Sequence, residues 1–422
     1  MTGATADAMR GLLPDSGSLP CPARKVSTHG NPRGDYHEGV RIRDAVVEHR
    51  DTEEEQPVGL LGNYRPERPF GARVSEYQRD GMDLIVIENE VIQLTINPSR
   101  GADLIGWRIK PLDLDLAWKA PTGLTGDDHA ARLSPDRVAA FIDGYPGGWQ
   151  TIFPNGGEPS RVDGAPYGQH GEAYALPWDV KIVEDTPEVV EVSFTVLLRR
   201  APFAIEKRFR VETALPTFWI AESATNLAPV RARAMWGQHI TFGPPFLDDS
   251  CVILLPDGLT VTPHPDGLTP ERRLAPGAQP FAWPVAPGPD GPIDLAIVPP
   301  VGSPSEMLYL NGFADEGVYA VQNRNMNLRA TIRWDATLQP TLWMWQESGG
   351  TTGWPWYGRA RVIGLEPFAG WPTSGFEAAD ANGSVMSFEP GERKVARLMA
   401  QVNLLDAPPA SPAPSDVIAD QT

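Results

Sequence analysis

Residues 189–211 read VVEVSFTVLLRRAPFAIEKRFRV. Over 189–198, and again over 204–211, apolar and polar side chains alternate closely enough to mark strands of a sheet with one wet face. The pattern continues outward in both directions. Segments 73–79, 84–87, 91–96 and 104–109 precede it, and 180–183 adjoins it; all are rich in Val and Ile and broken by turn residues. After it come 218–225, 231–242, 294–298, 307–313, 318–323, 328–334, 341–346, 359–365, 385–389 and 394–402. The 44 prolines and 41 glycines are spread throughout, which penalises long helices and favours strands joined by turns. The expectation is an all-β chain of antiparallel sheets, with at most a helical turn at 136–141.

Length and composition bound the organisation. With 422 residues and 41% apolar content the chain can bury a large core, and a long β-sandwich can form one unit where length alone suggests two or three domains. Residues 1–35 are small, polar and proline-punctuated, and 406–422 are mostly Ala, Pro and Ser. Both are expected to be disordered, leaving 36–405 as a single β-sandwich domain. Segment 40–55 fits a strand edge or a short helix equally. Segment 247–280 is turn-rich and reads as a surface excursion.

The net charge of −18 argues against a nucleic-acid or anionic-membrane partner, since both need basic patches. Two cysteines, Cys21 and Cys251, can build neither a disulfide framework nor a zinc site by themselves. No run approaches the roughly 18 apolar residues of a membrane span, and the opening residues lack a signal-peptide pattern. A cytoplasmic protein is expected, either monomer or homodimer, with no cofactor and no metal.

One stretch stands apart. Residues 147–180, GGWQTIFPNGGEPSRVDGAPYGQHGEAYALPWDV, have neither helical nor clean strand periodicity and read as a loop that builds a site. Within it, His170 lies in GQHGE, where glycines let the backbone approach a ligand closely. His239 lies in MWGQHITF, an apolar strand-like run in which an imidazole must find a partner or face a cavity. Of the seven histidines, His29, His37, His49, His129 and His264 fall in polar or turn-like sequence and are expected at the surface.

Glu366 closes the apolar run VIGL just before Pro367, which is expected to stop the ladder there. Burial at such a position raises a carboxyl pKa toward the range of a general base. Glu347, closing WMWQ, is its rival. Trp149, Trp178, Trp236, Trp343, Trp345, Trp354, Trp356 and Trp371 flank these polar residues. Indole faces stack on the apolar faces of sugar rings, while sugar edges demand Asn, Gln, Glu and His. The same tryptophans could instead fill the core, and one of Trp343 and Trp345 must point inward.

The ordered set GGWQTIFPNGG (147–157), GQHGEAYALPWDV (168–180), WGQHITFGPPFL (236–247), VIGLEPFAGWP (362–372) and FEPGERKVARLMAQV (388–402) resembles the aldose 1-epimerase-like, or galactose mutarotase-like, superfamily. It is most similar to a bacterial branch in which a strand-turn such as NPSRGADLIGW (97–107) precedes the His-Gly loop. The likeness spans roughly 62–402. It implies a single-domain β-supersandwich with a cleft on its concave sheet, a small-molecule sugar as partner, and interconversion of α and β anomers without a cofactor. By motif, His239 is the acid that protonates the ring oxygen, Glu366 the base, and His170 the residue that holds and polarises the sugar. Trp149, Asn155, Glu172, Arg100 and Gln238 are the expected substrate contacts.

Departures from the family pattern are also present. The usual Asn-Arg pair is absent, and Asn155 is followed by Gly156. Glu172 and Tyr174 stand where sugar-phosphate relatives carry an arginine, which argues against a phosphorylated substrate; Arg100, Arg231 and Arg359 remain as anion contacts. Asp257 and Asp315 are the candidates for the acidic residue that grips sugar hydroxyls. The alternatives are another acid-base reaction, such as isomerisation, elimination or epimerisation of a modified or keto sugar, or a non-catalytic carbohydrate-binding protein.

Overall fold

The computed structural model describes residues 60–61, 68–124 and 138–405. The expected leader, the ambiguous 40–55 segment, the tail, and His29, His37, His49 and His129 lie outside the described residues. Among the described residues, two antiparallel sheets carry the fold. One has twelve strands and the other eight. The larger sheet runs in the order Arg73–Arg79, Met82–Glu88, Ile92–Asn97, Asp103–Ile109, Trp149–Ile152, Trp236–Phe242, Arg361–Ala369, Thr341–Ser348, Ser303–Asn311, Thr260–Pro263, Phe281–Ala282, with Leu114–Asp115 paired off this path. The smaller runs Cys251–Leu254, Glu316–Asn323, Leu328–Asp335, Arg393–Leu404, Thr217–Asn226, Phe203–Glu212, Val189–Leu197, Asp179–Asp185. The described helices are short: Ala139–Asp143 and Phe376–Ala381. None is long and apolar enough to cross a membrane.

The alternating segment 189–211 forms the hairpin it promised, with Val189 opposite Glu212 and Leu197 opposite Ala204. Its inward residues Val190, Val192, Phe194, Phe209 and Val211 are buried, and Glu191, Arg208 and Arg210 link on the outer face. The two sheets pack through aromatic pairs such as Trp107 edge-on to Phe218 at 5.2 Å and Tyr319 edge-on to Phe242 at 6.4 Å. A charged group also sits in this layer. Buried Glu222 accepts hydrogen bonds from Thr151 Oγ1, Trp236 Nε1 and Gln238 Nε2, and stands 3.8 Å from buried Lys207.

Several expectations need correction. The irregular stretch 147–180 opens as the strand Trp149–Ile152, all four residues of which are buried. A strand with no wet face has no alternation to read. The run 231–242 breaks at Met235: Ala232–Ala234 pairs with Met386–Phe388, and only Trp236–Phe242 enters the large sheet. Segment 247–280 is no mere excursion, because Cys251–Leu254 joins the smaller sheet and Thr260–Pro263 the larger. The strand expected at 294–298 instead ends at Asp294, in a hairpin with Val285–Gly288.

Pro367 does not stop its strand, which continues to Ala369. Toward the neighbouring Thr341–Ser348 strand, Pro367 pairs in register with Leu342. Toward Trp236–Phe242 the ladder runs from Trp236↔Ala369 and Gly237↔Phe368 to Thr241↔Gly364, with a lapse opposite Leu365–Pro367. The missing proline N–H therefore costs no ladder bond. The register is the same on both sides of the lapse and sets His239 opposite Glu366.

Candidate active site

Side chains of a strand alternate between faces, so the residues facing away from the second sheet can be listed by parity. On the Trp236–Phe242 strand, Trp236 and Gln238 reach back to Glu222, which leaves His239 and Thr241 on the opposite face. Glu366 lies on the adjacent strand, level with Trp343 on the next. Trp343, Trp345 and Glu347 are two residues apart in turn, so all three share the outward face and all line one cavity. The expectation that one of Trp343 and Trp345 points into the core fails on this period. The cavity has a volume of about 460 Å³ and takes in His170, His239, His264, Glu347 and Glu366.

His239 Nε2 lies 3.6 Å from Glu366 Oε1. Behind the imidazole, Nδ1 is 3.1 Å from the hydroxyl of Tyr145, which lies 3.2 Å from Thr241 Oγ1, and that hydroxyl in turn bonds the Gly148 carbonyl at 2.7 Å. The chain of bonds fixes a tautomer. A carbonyl only accepts, so Thr241 donates to Gly148 and accepts from Tyr145. Tyr145 has then spent its proton and must accept from His239 Nδ1–H. Nε2 is left with its lone pair turned toward Glu366.

Both members of the pair are driven toward neutrality. Burial pushes the Glu366 carboxyl well above the usual carboxylate range, and among the described residues no hydrogen-bond donor reaches it. Burial likewise lowers the His239 imidazole to about 4. The two shifts run in the directions that favour a neutral pair, with the transferable proton on Glu366 and Nε2 unprotonated. Room for this carboxyl depends on Gly364, where a Cβ would come within 2.5 Å of Glu366 Oε1.

His170 is placed by its loop. Its φ of +62° is a left-handed conformation, held by its own N–H to Gly157 O at 2.9 Å and by Gly157 N–H to its Nδ1 at 3.1 Å. Because Nδ1 accepts, Nε2 carries the hydrogen and is a fixed neutral donor. Burial first, and His239 second, keep its pKa well below the usual histidine value. The two imidazoles stand edge to face at 5.2 Å, with Phe141 against both.

The structure thus brings His170, His239 and Glu366 together. It does not bring the five expected substrate contacts to the cavity lining. Trp149 and Gln238 face the layer between the sheets, where Trp149 Nε1 donates to Gln238 Oε1 at 2.8 Å. Asn155 braces loops, donating to Glu158 O and Gly168 O and accepting from Phe376 N–H. Glu172 receives the backbone N–H groups of Arg199, Arg200 and Ala201. Arg100 donates to Gly144 O and lies over the Tyr174 ring at 5.4 Å. Asp257 and Asp315 are also absent from the lining.

Two residues escaped the sequence reading. Tyr145 orients His239 from the helix-flanking segment. His264, expected at the surface, is buried on the cavity wall, with Nδ1 2.7 Å from Tyr309 OH and 3.4 Å from Thr373 Oγ1. Glu347 proves a cavity residue as well, receiving bonds from Ser305 Oγ, Thr351 Oγ1 and, at 3.3 Å, Thr351 N–H.

Comparison with known proteins agrees with the architecture. Residues 79–272 match the model of a domain of unknown function, DUF4432. No curated protein matches the chain in sequence. Among solved structures, a proposed aldose 1-epimerase from Klebsiella pneumoniae is similar with a TM-score of 0.61 at 15% identity, over 79% of this chain and 88% of that one. A galactose mutarotase-like protein from Clostridium acetobutylicum gives 0.55 at 15% identity, over 79% and 99%. A proposed aldose 1-epimerase from Escherichia coli K12 gives 0.51 at 13% identity, over 79% and 100%. At such identities the likeness is one of fold, and this chain carries the galactose mutarotase-like β-sandwich.

Proposed function

We propose that the cavity interconverts the α and β anomers of a free sugar, and that His239, Glu366 and His170 carry the reaction. The observation that supports this best is the pair itself: an acid and a base, 3.6 Å apart, sharing one transferable proton at the wall of a cavity. A cyclic hemiacetal presents its ring oxygen and its anomeric hydroxyl on the same carbon. Opening the ring requires one proton delivered and one removed within a few ångströms.

The resting protonation reverses the roles implied by resemblance. Glu366 gives its proton to the ring oxygen as the C1–O5 bond breaks and its electron pair moves to O5. His239 Nε2 takes the proton of the anomeric hydroxyl, and that O–H pair becomes the new C1=O bond. The imidazolium formed still donates Nδ1–H to Tyr145, and Glu366 is left ionised. After rotation about C1–C2 the hydroxyl at C5 adds to the other face of the carbonyl, and both protons return. His170 Nε2–H supplies a donor for a sugar oxygen, strongest where negative charge builds on it.

The test is a proton NMR time course on freshly dissolved α-glucose, α-galactose and other aldoses, following the anomeric signals. An accelerated approach to equilibrium, lost in Glu366→Gln and in His239→Asn, is the expected result. Failure to accelerate any member of a panel that includes uronic, keto and sulfonated sugars would refute the assignment.

A further inference from the structure

The cavity is longer than its acid-base pair requires. Glu366 is level with Trp343, and Glu347 lies four residues further along the same Trp343 strand. At about 3.3 Å per residue that places Glu347 roughly 13 Å along the floor from the reacting centre. A single six-membered ring bound with its anomeric carbon at the pair does not span that length. Beyond Glu347 the chain continues through Thr351 to Trp354 and Pro355, all of which line the cavity. Trp354 is 48% exposed, and Leu268, 43% exposed, is also part of the wall.

This far end is built for hydroxyls and for the face of a ring. The two oxygens of a carboxyl group carry about four lone-pair positions. Ser305 Oγ and Thr351 Oγ1 both address Glu347 Oε2, and Thr351 N–H addresses Oε1. One position on Oε1 is left for a ligand. Glu347 is only 1% exposed, so a hydroxyl bonding it must sit within the cavity. Trp354 presents an indole surface at the rim, the side chain best suited to stack on the apolar face of a pyranose. Elsewhere on the lining, Gln169, which precedes His170 in sequence, has a buried Oε1 with no hydrogen-bond partner among the described residues, an acceptor for a ligand hydroxyl.

We propose that Glu347, Thr351 and Trp354 form a second saccharide subsite, so that the preferred substrate is the reducing end of a disaccharide or longer oligosaccharide. This rests on the anomer-interconverting reading. The reducing ring occupies His239, Glu366 and His170, and the glycosidically linked ring lies over Trp354 with a hydroxyl on Glu347. No bond between the rings is made or broken.

The experiment measures NMR mutarotation rates and, separately, calorimetric binding for glucose, maltose, cellobiose and lactose with the wild-type full chain, Trp354→Ala and Glu347→Gln. The expected result is a disaccharide kcat/KM above that of glucose, with the ratio falling by about three- to tenfold in Trp354→Ala, the range of one lost ring contact. Glu347→Gln lowers the same ratio and serves if Trp354→Ala does not fold. Equal losses on glucose and the disaccharides, or turnover of glucose without any of the disaccharides, would overturn the subsite. Binding decides the matter without turnover. If no sugar mutarotates, tighter disaccharide binding that is lost in Trp354→Ala upholds the second subsite while the proposed reaction fails; equal binding of all four sugars overturns the subsite.

Discussion

Two glutamates face the same cavity from adjacent strands of one sheet, and their surroundings differ in kind. Glu366 sits in a ladder lapse beside an unprotonated histidine nitrogen, and no described donor reaches its carboxyl. Glu347 is equally buried but is met by two hydroxyls and a backbone N–H. Burial alone does not decide what a carboxylate does. A dry wall without donors favours the acid form of Glu366, whereas the donors around Glu347 fix its oxygens in place. One end of the cavity is thereby suited to move protons, and the other to hold hydroxyls.

The sharpest way to break this contrast is to replace each carboxyl by its amide in turn. Glu366→Gln is expected to lower kcat by about 10²- to 10⁴-fold, the range of a lost general acid. Glu347→Gln is expected to act chiefly on KM, by roughly tenfold or less. Equal losses of kcat in the two variants, measured by NMR mutarotation, would erase the distinction. Gly364→Ala tests the same end of the cavity without touching a titrating group. A methyl 2.5 Å from Glu366 Oε1 must displace the carboxyl, and activity should fall with it.

Next in size is Tyr145→Phe. Removing the hydroxyl leaves His239 Nδ1–H without its acceptor, at a cost of about 1–3 kcal/mol for an unmet buried donor. The expected outcome is a tenfold to hundredfold drop in kcat with KM little changed. An unaltered kcat would mean that Tyr145 is packing alone.

The pH dependence sharpens the comparison further. Activity needs unprotonated His239 and protonated Glu366, so the rate should fall on the acid side near pH 4 and on the alkaline side as Glu366 ionises, well above the usual carboxylate range. Glu347→Gln should leave both limbs in place. Stability carries the same signature more weakly. The native His239 pKa, about 4, lies below the ordinary 6.5, so between these values the unfolded chain binds a proton that the folded chain does not. His239 by itself therefore contributes a decline of roughly 3 kcal/mol as pH falls from 6.5 to 4, while the raised Glu366 carboxyl contributes with the opposite sign and the lowered His170 and His264 with the same sign. Denaturant titrations across that range should show a shallower decline in His239→Asn than in the wild type, and identical slopes would contradict the lowered His239 pKa.

The fold was legible wherever a strand has one wet face. The hairpin in 189–211 and the final strand declare themselves by alternation, whereas Trp149–Ile152 is buried on both sides and does not. The same blindness explains the misplaced contacts. All seven residues of Trp236–Phe242 are buried, so composition cannot say that Gln238 faces the second sheet while His239, one residue on, faces the cavity. Asn155 and Glu172 had the right chemistry in the right loop, but backbone groups of that loop and its neighbours claim their side chains. His264 hid in a turn-like HPDG context, and Tyr145 acts across 94 positions of sequence. His170 and Glu366 were readable because glycine-rich and apolar neighbours mark where a polar group is kept dry.

The most direct test of the central claim is the tautomer and charge of His239, read by nitrogen-15 NMR of the histidine side chains at neutral pH, with His239→Asn to assign the signal. The account predicts a neutral ring with hydrogen on Nδ1 and a bare Nε2, and with it a protonated Glu366. A doubly protonated imidazolium at neutral pH would contradict this, placing the proton on His239 and restoring Glu366 as the resting base.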